Sequence, residues 1–129
     1  VSFAASGLPE EAVRFLAAKT RSRIAPVAAA DFLFFGSANA GESELSTVKR
    51  GTLEYPDQGA TVVAEVGALT AHGSGGLIVK ASGPGVDGTI TFSAQGLHPV
   101  WLATLRSMNA EYPLGVDAIF TCGTRLVCL

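Results

Sequence analysis

The sequence has few of the side chains from which metal and cluster sites are built. Its two histidines, His72 and His98, lie far apart, and neither has another ligand at the spacing that a metal ion requires. The two cysteines, Cys122 and Cys128, are too few for a disulfide framework or for a three-cysteine iron–sulfur motif. The composition therefore predicts a chain without a metal ion or an iron–sulfur cluster of its own.

The sequence also lacks a long apolar run and an excess of positive charge. The longest run, Phe32–Phe35, is strand-sized and far too short to span a membrane. Eleven acidic residues stand against nine basic ones, so neither nucleic acid nor a membrane surface is an expected partner. Residues 1–5 contain no initiator Met and no signal-peptide features. We therefore expect a cytoplasmic protein whose sequence begins partway through a longer one.

The sequence does contain enough apolar residues for a core. Of its 129 residues 48% are hydrophobic, and the mean hydropathy is +0.38, so we expect one folded domain over residues 1–129. Helical spacing of apolar residues predicts helices over 9–19, 42–50 and 98–112. Short apolar or alternating runs predict strands at 31–36, 61–69, 77–82, 89–94, 116–122 and 125–129. Because helices interrupt the strands, the predicted fold class is α/β, with a mixed β-sheet flanked by helices.

The last predicted helix has a regular apolar face. Trp101, Leu105, Met108 and Tyr112 keep helical spacing. The first three are predicted to belong to the core rather than to an interface, since one apolar face is what a surface helix turns inward.

The two cysteines belong to a predicted hairpin with Gly123 in its turn. In this hairpin Cys122 pairs with Arg125 and Cys128 pairs with Ile119, so the sulfur atoms point to opposite faces. We expect two reduced, partly buried thiols. A nucleophilic Cys122 near Asp117 and Arg125 is the alternative, but it lacks a positioned histidine as base, and a structural role is favoured.

Two glycine-rich segments resemble ligand-binding loops. Residues Gly83 to Gly88 match G-x-G-x-x-G literally, but a strand pattern follows where a nucleotide site needs a helix, and Pro84 removes an amide donor. A hairpin turn is therefore favoured over a nucleotide cradle. Residues 72–76 form either an anion-binding nest or a loop between strands, and the loop is favoured.

Three blocks of residues together resemble a known family. They are the carboxyl-terminal run from Tyr112 to Leu129, the segment from Gly51 to Thr61 with its Pro56, and Gly83-Pro84-Gly85-Val86. In this order and separation they are similar to the PhnH family of the bacterial carbon–phosphorus lyase system, whose members are also described as the PhnH component of ribose 1-methylphosphonate 5-triphosphate synthase. Members of that family are longer at the amino end and continue beyond the position of Leu129.

The resemblance implies a fold and a place in an assembly. The implied fold is related to the large domain of pyridoxal-phosphate-dependent transferases, but without the cofactor site. In this sequence neither Lys49 nor Lys80 lies in a setting typical of a Schiff-base lysine, so no cofactor is expected. The implied partners are a second copy in a homodimer and the other carbon–phosphorus lyase core subunits. That complex makes ribose 1-phosphonate 5-triphosphate from ATP and a phosphonate, ahead of cleavage by a separate iron–sulfur subunit.

Three functions follow as hypotheses. The first is a structural and allosteric subunit of the core complex, non-redox and without catalytic residues or independent activity. The second is a subunit that lends ligand-binding groups to a shared active site. The third is a stand-alone small-molecule binding domain. The residues that we expect to form a ligand or interface motif are Gly83, Gly85, Gly115, Asp117 and Arg125.

Overall fold

The chain folds as a mixed α/β protein in a computed structural model that describes residues 1–38, 42–71, 75–83 and 86–129. The strands are β1 (Ser2–Ser6), β2 (Arg23–Ile24), β3 (Phe32–Phe35), β4 (Thr61–Glu65), β5 (Ala68–Thr70), β6 (Leu77–Ala81), β7 (Ile90–Gln95), β8 (Asp117–Cys122) and β9 (Arg125–Cys128). The helices are α1 (Glu10–Thr20), α2 (Glu42–Leu45) and α3 (Pro99–Met108). In this part of the chain, no helix is long and apolar enough to cross a membrane.

The larger of two sheets has six strands in the order β2-β1-β3-β4-β8-β9. Neighbouring strands are parallel except for β9, which runs antiparallel to β8. Its inner face is closed by apolar side chains that are at most 3% exposed, among them Leu33, Phe35, Val62 and Phe120. The predicted mixed sheet is confirmed, and its central strands read as apolar runs, as is usual for parallel strands.

The smaller sheet is antiparallel, with the order β5-β7-β6. The single strand predicted at 61–69 is wrong, because the chain changes sheets within it. The amide of Val66 still donates to Thr121 of β8, at 2.9 Å, whereas the amide of Gly67 donates to Gln95 of β7, at 2.8 Å. Gly67 is therefore the point at which β4 ends and β5 begins a new sheet.

Helix α3 packs its apolar face into the core between the sheets. His98 caps its first turn, accepting a hydrogen bond from the amide of Val100 at 3.3 Å. Trp101 is fully buried, and its ring meets those of Phe35 and Phe120 edge-on, at 5.1 and 6.2 Å between centroids. With Leu105 and Met108 also buried, the predicted core role of this face is confirmed.

Two helices end earlier than their patterns predict. Helix α2 ends at Leu45 rather than at residue 50, because the Lys49 carbonyl accepts from the amide of Ala60, at 3.0 Å, and Arg50 forms a β-bridge. Helix α3 ends at Met108, and Tyr112 is 94% exposed. The amide side chain of Asn109 stops the helix by bonding both backbone groups of Val116.

Both predicted hairpins are confirmed. Strands β6 and β7 pair from Leu77 opposite Ala94 to Ala81 opposite Ile90. In the second hairpin Cys122 pairs with Arg125 and Cys128 with Ile119, as predicted. Both cysteines are free thiols, but Cys128 is exposed rather than partly buried, since β9 lies at the edge of the large sheet.

Candidate functional site

The outer face of the large sheet is apolar and only half covered. A row of side chains in register crosses it through Ala5, Phe34, Val63, Ile119 and Cys128. The first four are partly buried and Cys128 is exposed, whereas the neighbouring inner-face residues of β3, β4 and β8 are buried. We call this row, with the side chains that flank it on the same face, the outer face.

Helix α1 is the cover that the described residues give to the outer face. Acidic Glu10 and Glu11 suit its amino end, and Lys19 suits its carboxyl end. Leu16 lines an apolar crevice of about 240 Å³ against β1 and β3, yet no residue of α1 is buried. Phe15 is 61% exposed. Since parallel sheets are normally covered on both faces, the outer face is suited to contact another polypeptide.

Four of the five residues expected to form a ligand or interface motif lie within the described residues, and these four do not form one cluster. Gly83 follows β6 with φ +157°, and apart from its chain neighbours no described atom lies within 4 Å of a Cβ built there. Gly85 lies outside the described residues. Gly115 and Asp117 precede and begin β8, whereas Arg125 lies beyond its far end, about 16 Å along a strand from Asp117. Within the described residues, Gly115 and Asp117 therefore lie together and Arg125 lies apart from them.

Arg125 lies in a groove of about 1080 Å³ between β9 and the small sheet. Its guanidinium donates to the carbonyl of Leu69 at 2.9 Å and so ties the two sheets together. Apolar walls come from Ile90, Phe92 and Val127. No carboxylate of the described residues forms an ion pair with Arg125. The groove therefore offers one positive charge among apolar walls.

Gly115 and Asp117 border a small polar notch of about 270 Å³. A side chain at Gly115 would lie 2.6 Å from Oδ1 of Asn109, which leaves space for glycine alone. The backbone amide of Gly115 donates to Arg50 at 3.1 Å, and that of Asp117 to Ala60 at 3.2 Å. The glycine is thus required by close packing, while the exposed Asp117 side chain is available to a partner.

Cys122 has the contacts of a structural thiol. Its Sγ lies 3.4 Å from the carbonyl of Gly67, to which the protonated thiol donates. Asp117, proposed as its neighbour in the nucleophile alternative, lies at the opposite end of β8. Within the described ranges, no three His, Cys, Asp or Glu side chains are grouped so that they could hold a metal ion.

A cluster of charged and polar groups lies at the amino ends of β1 and β3. The Asp31 carboxylate accepts from Lys49 Nζ, from the Ser2 amide at 2.7 Å and from the Ser2 hydroxyl at 3.0 Å. The hydrogen bond from Lys49, followed by those from Ser2, lowers the pKa of Asp31 from 3.8 to about 2. Lys49 is therefore held in an ion pair with Asp31. This contact does not favour a Schiff base between Lys49 and an aldehyde cofactor.

A second groove, which sequence reasoning missed, lies between β6 and α3. It has a volume of about 770 Å³, and Lys80 of β6 and Arg106 of α3 both border it. We call it the edge groove. The sequence shows Lys80 as one member of an alternating strand and Arg106 as a charge on the polar side of a helix. Only the tertiary packing of α3 beside β6 brings the two cations together.

Comparison with known proteins identifies the family of this chain. The family model for "bacterial phosphonate metabolism protein (PhnH)" matches residues 2–129. A protein described as the putative C-P lyase subunit protein HtxG, from Stutzerimonas stutzeri, is 34% identical over 107 residues, which are 83% of this chain and 51% of that protein. The alpha-D-ribose 1-methylphosphonate 5-triphosphate synthase subunit PhnH of Rhizobium meliloti (strain 1021) is 35% identical over 100 residues, which are 76% of this chain and 46% of that protein. The chain thus spans about half the length of these curated relatives, and it belongs to the PhnH family of bacterial phosphonate metabolism proteins.

Proposed function

We propose that this chain is a non-redox subunit of the carbon–phosphorus lyase core complex in phosphonate catabolism. There it supports the formation of ribose 1-phosphonate 5-triphosphate from ATP and a phosphonate. Its contribution is binding energy at subunit interfaces, and it has no catalytic activity alone. The names of the two relatives support the assembly, and the observation that carries the role is the half-covered outer face of the parallel sheet.

The outer face has the properties of a surface that becomes buried on assembly. Beside its row of half-buried residues, the same face includes Leu126 of β9, which pairs with Thr121 and is 63% exposed. Permanent subunit interfaces resemble a domain core and bury more apolar surface than transient ones. A partner that covers this row completes the second layer that a parallel sheet requires.

Co-elution with the other core subunits tests this function. The chain is mixed with those subunits, and the mass of the eluting species is measured by light scattering. We expect a stable complex, and we expect Leu126→Glu to weaken it about tenfold or more, because the charge is placed on the interface. Leu53→Glu is the matched control, since Leu53 is 78% exposed and lies in the segment before β4 rather than in a strand of the large sheet. Absence of any complex, or ATP-dependent turnover by the chain alone at an enzyme-like rate, would overturn the proposal.

We further propose that residues 1–129 act as one domain, in a cytoplasmic homodimer whose large sheet is related to that of pyridoxal-phosphate-dependent transferases without their cofactor site. Light scattering at several concentrations measures the dimer, and cell fractionation measures the location. Incubation with pyridoxal phosphate and borohydride, followed by mass spectrometry, is expected to give no specific lysine adduct. The ion pair of Lys49 with Asp31 supports this expectation. A stoichiometric adduct at Lys49 would contradict it.

A second candidate function is supported by Arg125. Among the described residues that line the 1080 Å³ groove, Arg125 is the one charged side chain, and it would bind an anionic ligand in a shared active site. The measurement is turnover and assembly of the complete complex with Arg125→Ala, and with Asp117→Ala for comparison. Lost turnover with intact assembly would favour this direct role, whereas unchanged turnover would exclude it.

A further inference from the structure

Strand β6 has a free edge that faces the edge groove. It is the last strand of the small sheet and pairs only with β7. In the described part of the chain, no backbone hydrogen bond joins residues 77–81 to any other segment. Every second residue of β6 therefore has an amide and a carbonyl directed away from β7, which is the arrangement that accepts an added strand.

Helix α3 lies along the groove opposite this edge. Leu102 and Leu105 of α3 line it together with Val79 of β6, so the space between strand and helix has apolar walls. A groove between an edge strand and a helix is the geometry in which extended peptides add to a sheet. Backbone hydrogen bonds then supply affinity, and alternate side chains enter the apolar space.

The size of the groove matches a strand of the same length as β6. One strand residue occupies roughly 160 Å³ at ordinary strand, sheet and residue spacings. The groove volume of about 770 Å³ thus holds about five such residues, and β6 itself has five.

The charges of the groove select for an acidic occupant. Lys80 and Arg106 both border it, no Asp or Glu side chain does, and neither cation is in an ion pair within the described residues. This contrasts with the chain as a whole, whose net charge is −2. A second copy pairing through β6 would bring two such cation pairs together, which charge repulsion disfavours. A lysine on an edge strand is also a common protection against self-pairing.

We propose that the edge groove binds an extended acidic segment of another subunit, which adds to β6 as a fourth strand of the small sheet. Its apolar residues pack between Val79 and Leu102, and its carboxylates pair with Lys80 and Arg106. The identity of the partner rests on the proposed function, whereas the preference of the groove for an acidic strand does not.

The purified chain and short capped peptides test this preference directly. One peptide alternates valine with glutamate, a second alternates valine with lysine, and a third alternates glycine with glutamate. Amide hydrogen exchange of residues 77–81 and NMR titration measure binding. We expect the valine–glutamate peptide to slow exchange about tenfold or more and the other two to have little effect. Lys80→Glu combined with Arg106→Glu should weaken binding by about tenfold, whereas Arg21→Glu, an exposed charge reversal beyond α1, should not.

Other occupants give different results. No protection at millimolar valine–glutamate peptide would overturn the proposal, as would equal protection by ATP or methylphosphonate, which would indicate a small-anion site. Concentration-dependent self-protection of residues 77–81 in the absence of any peptide would replace the acidic segment with a second copy.

The assembled complex provides an independent result. Protection of residues 77–81 on mixing with the core subunits would support the partner assignment. A complex that forms without this protection would overturn that assignment and leave the proposed function intact. Peptide binding without any complex would instead overturn the proposed function and leave the acidic-strand preference standing.

Discussion

The two sheets share one core but differ in how far each is completed. In the large sheet, β3 and β4 have hydrogen-bonded neighbours on both sides, and their inner-face residues Leu33 and Val62 are each 1% exposed. In the small sheet, only β7 is flanked on both sides. There, Val79 is 6% exposed while the adjacent Ile78 is 62% exposed. Folding free energy is therefore concentrated on the inner faces, and the surfaces left for partners are the outer face and the free edge of β6.

Burial alone therefore does not locate the functional surfaces of this protein. Substitutions on the inner face should destabilise the fold, because its side chains are buried and closely packed. The outer face and the edge groove tolerate change in the isolated chain and should matter on assembly. Substitutions in the two regions should therefore differ in their effects on the free energy of unfolding.

The largest effect is expected for Leu33→Ala in the large sheet. It removes a side chain that is 1% exposed and leaves a cavity beneath β3, which should lower the free energy of unfolding by about 2–5 kcal/mol. Urea unfolding measures the change. Leu53→Ala, at a position that is 78% exposed, should stay within about 0.5 kcal/mol of the wild type. Equal losses in the two variants would mean that the inner face is not the principal core.

Gly36→Ala should have the next largest effect, because two backbone segments meet where β1 and β3 end. A Cβ at Gly36 would lie 2.9 Å from the carbonyl carbon of Gly7, a contact with backbone that cannot move aside. We expect a loss of about 1–3 kcal/mol, as for other overpacked sites. Gly67→Ala is the control, since its Cβ would meet Gln95 at 3.4 Å, an ordinary contact. A neutral Gly36→Ala would show that these segments can separate.

Within the small sheet, neighbouring residues of β6 should respond differently. Val79→Ala removes two methyl groups from the buried face, at a cost of about 1–2 kcal/mol. Ile78→Ala should change the free energy of unfolding by less than about 0.5 kcal/mol, because Ile78 is largely exposed. Chemical denaturation of both variants measures the difference. A large loss for Ile78→Ala would show that the free edge of β6 is covered in the isolated chain.

Much of this fold could be predicted from local sequence, because apolar runs and turn residues determine strands and hairpins. The Cys122–Arg125 pairing followed from the short turn containing Gly123, whose φ is +57°. The end of α2 could not be predicted, since it depends on the amide of Ala60, which donates to the Lys49 carbonyl from the position just before β4. The division at Gly67 likewise depends on Gln95.

The candidate surfaces were harder to predict than the strands. The family resemblance, confirmed by the comparisons, rested on motifs whose glycines partly serve close packing, as at Gly115. Sequence order also suggested that Asp117 and Arg125 act together, but β8 separates them. Lys80 and Arg106 border the same groove because α3 packs beside β6, and no local sequence pattern predicts this packing.

The smallest effect, and the most selective, is expected from two polar contacts, one in each sheet. Asp31, at the amino end of β3 in the large sheet, has its pKa lowered to about 2, so its contribution to stability is full above the unfolded value of 3.8 and is lost as the pH falls towards 2. The side chain is 40% exposed, which limits this contribution to roughly 1 kcal/mol. Asp31→Asn should therefore destabilise the chain at pH 7 and lose its effect near pH 2.

In the small sheet, Ser93 shares a 2.6 Å hydrogen bond with Thr70 that involves no titratable group. Ser93→Ala should cost about 1 kcal/mol at every pH. Urea unfolding from pH 2 to pH 7 separates the two, and parallel pH profiles for both variants would mean that the Asp31 carboxylate contributes nothing through its charge.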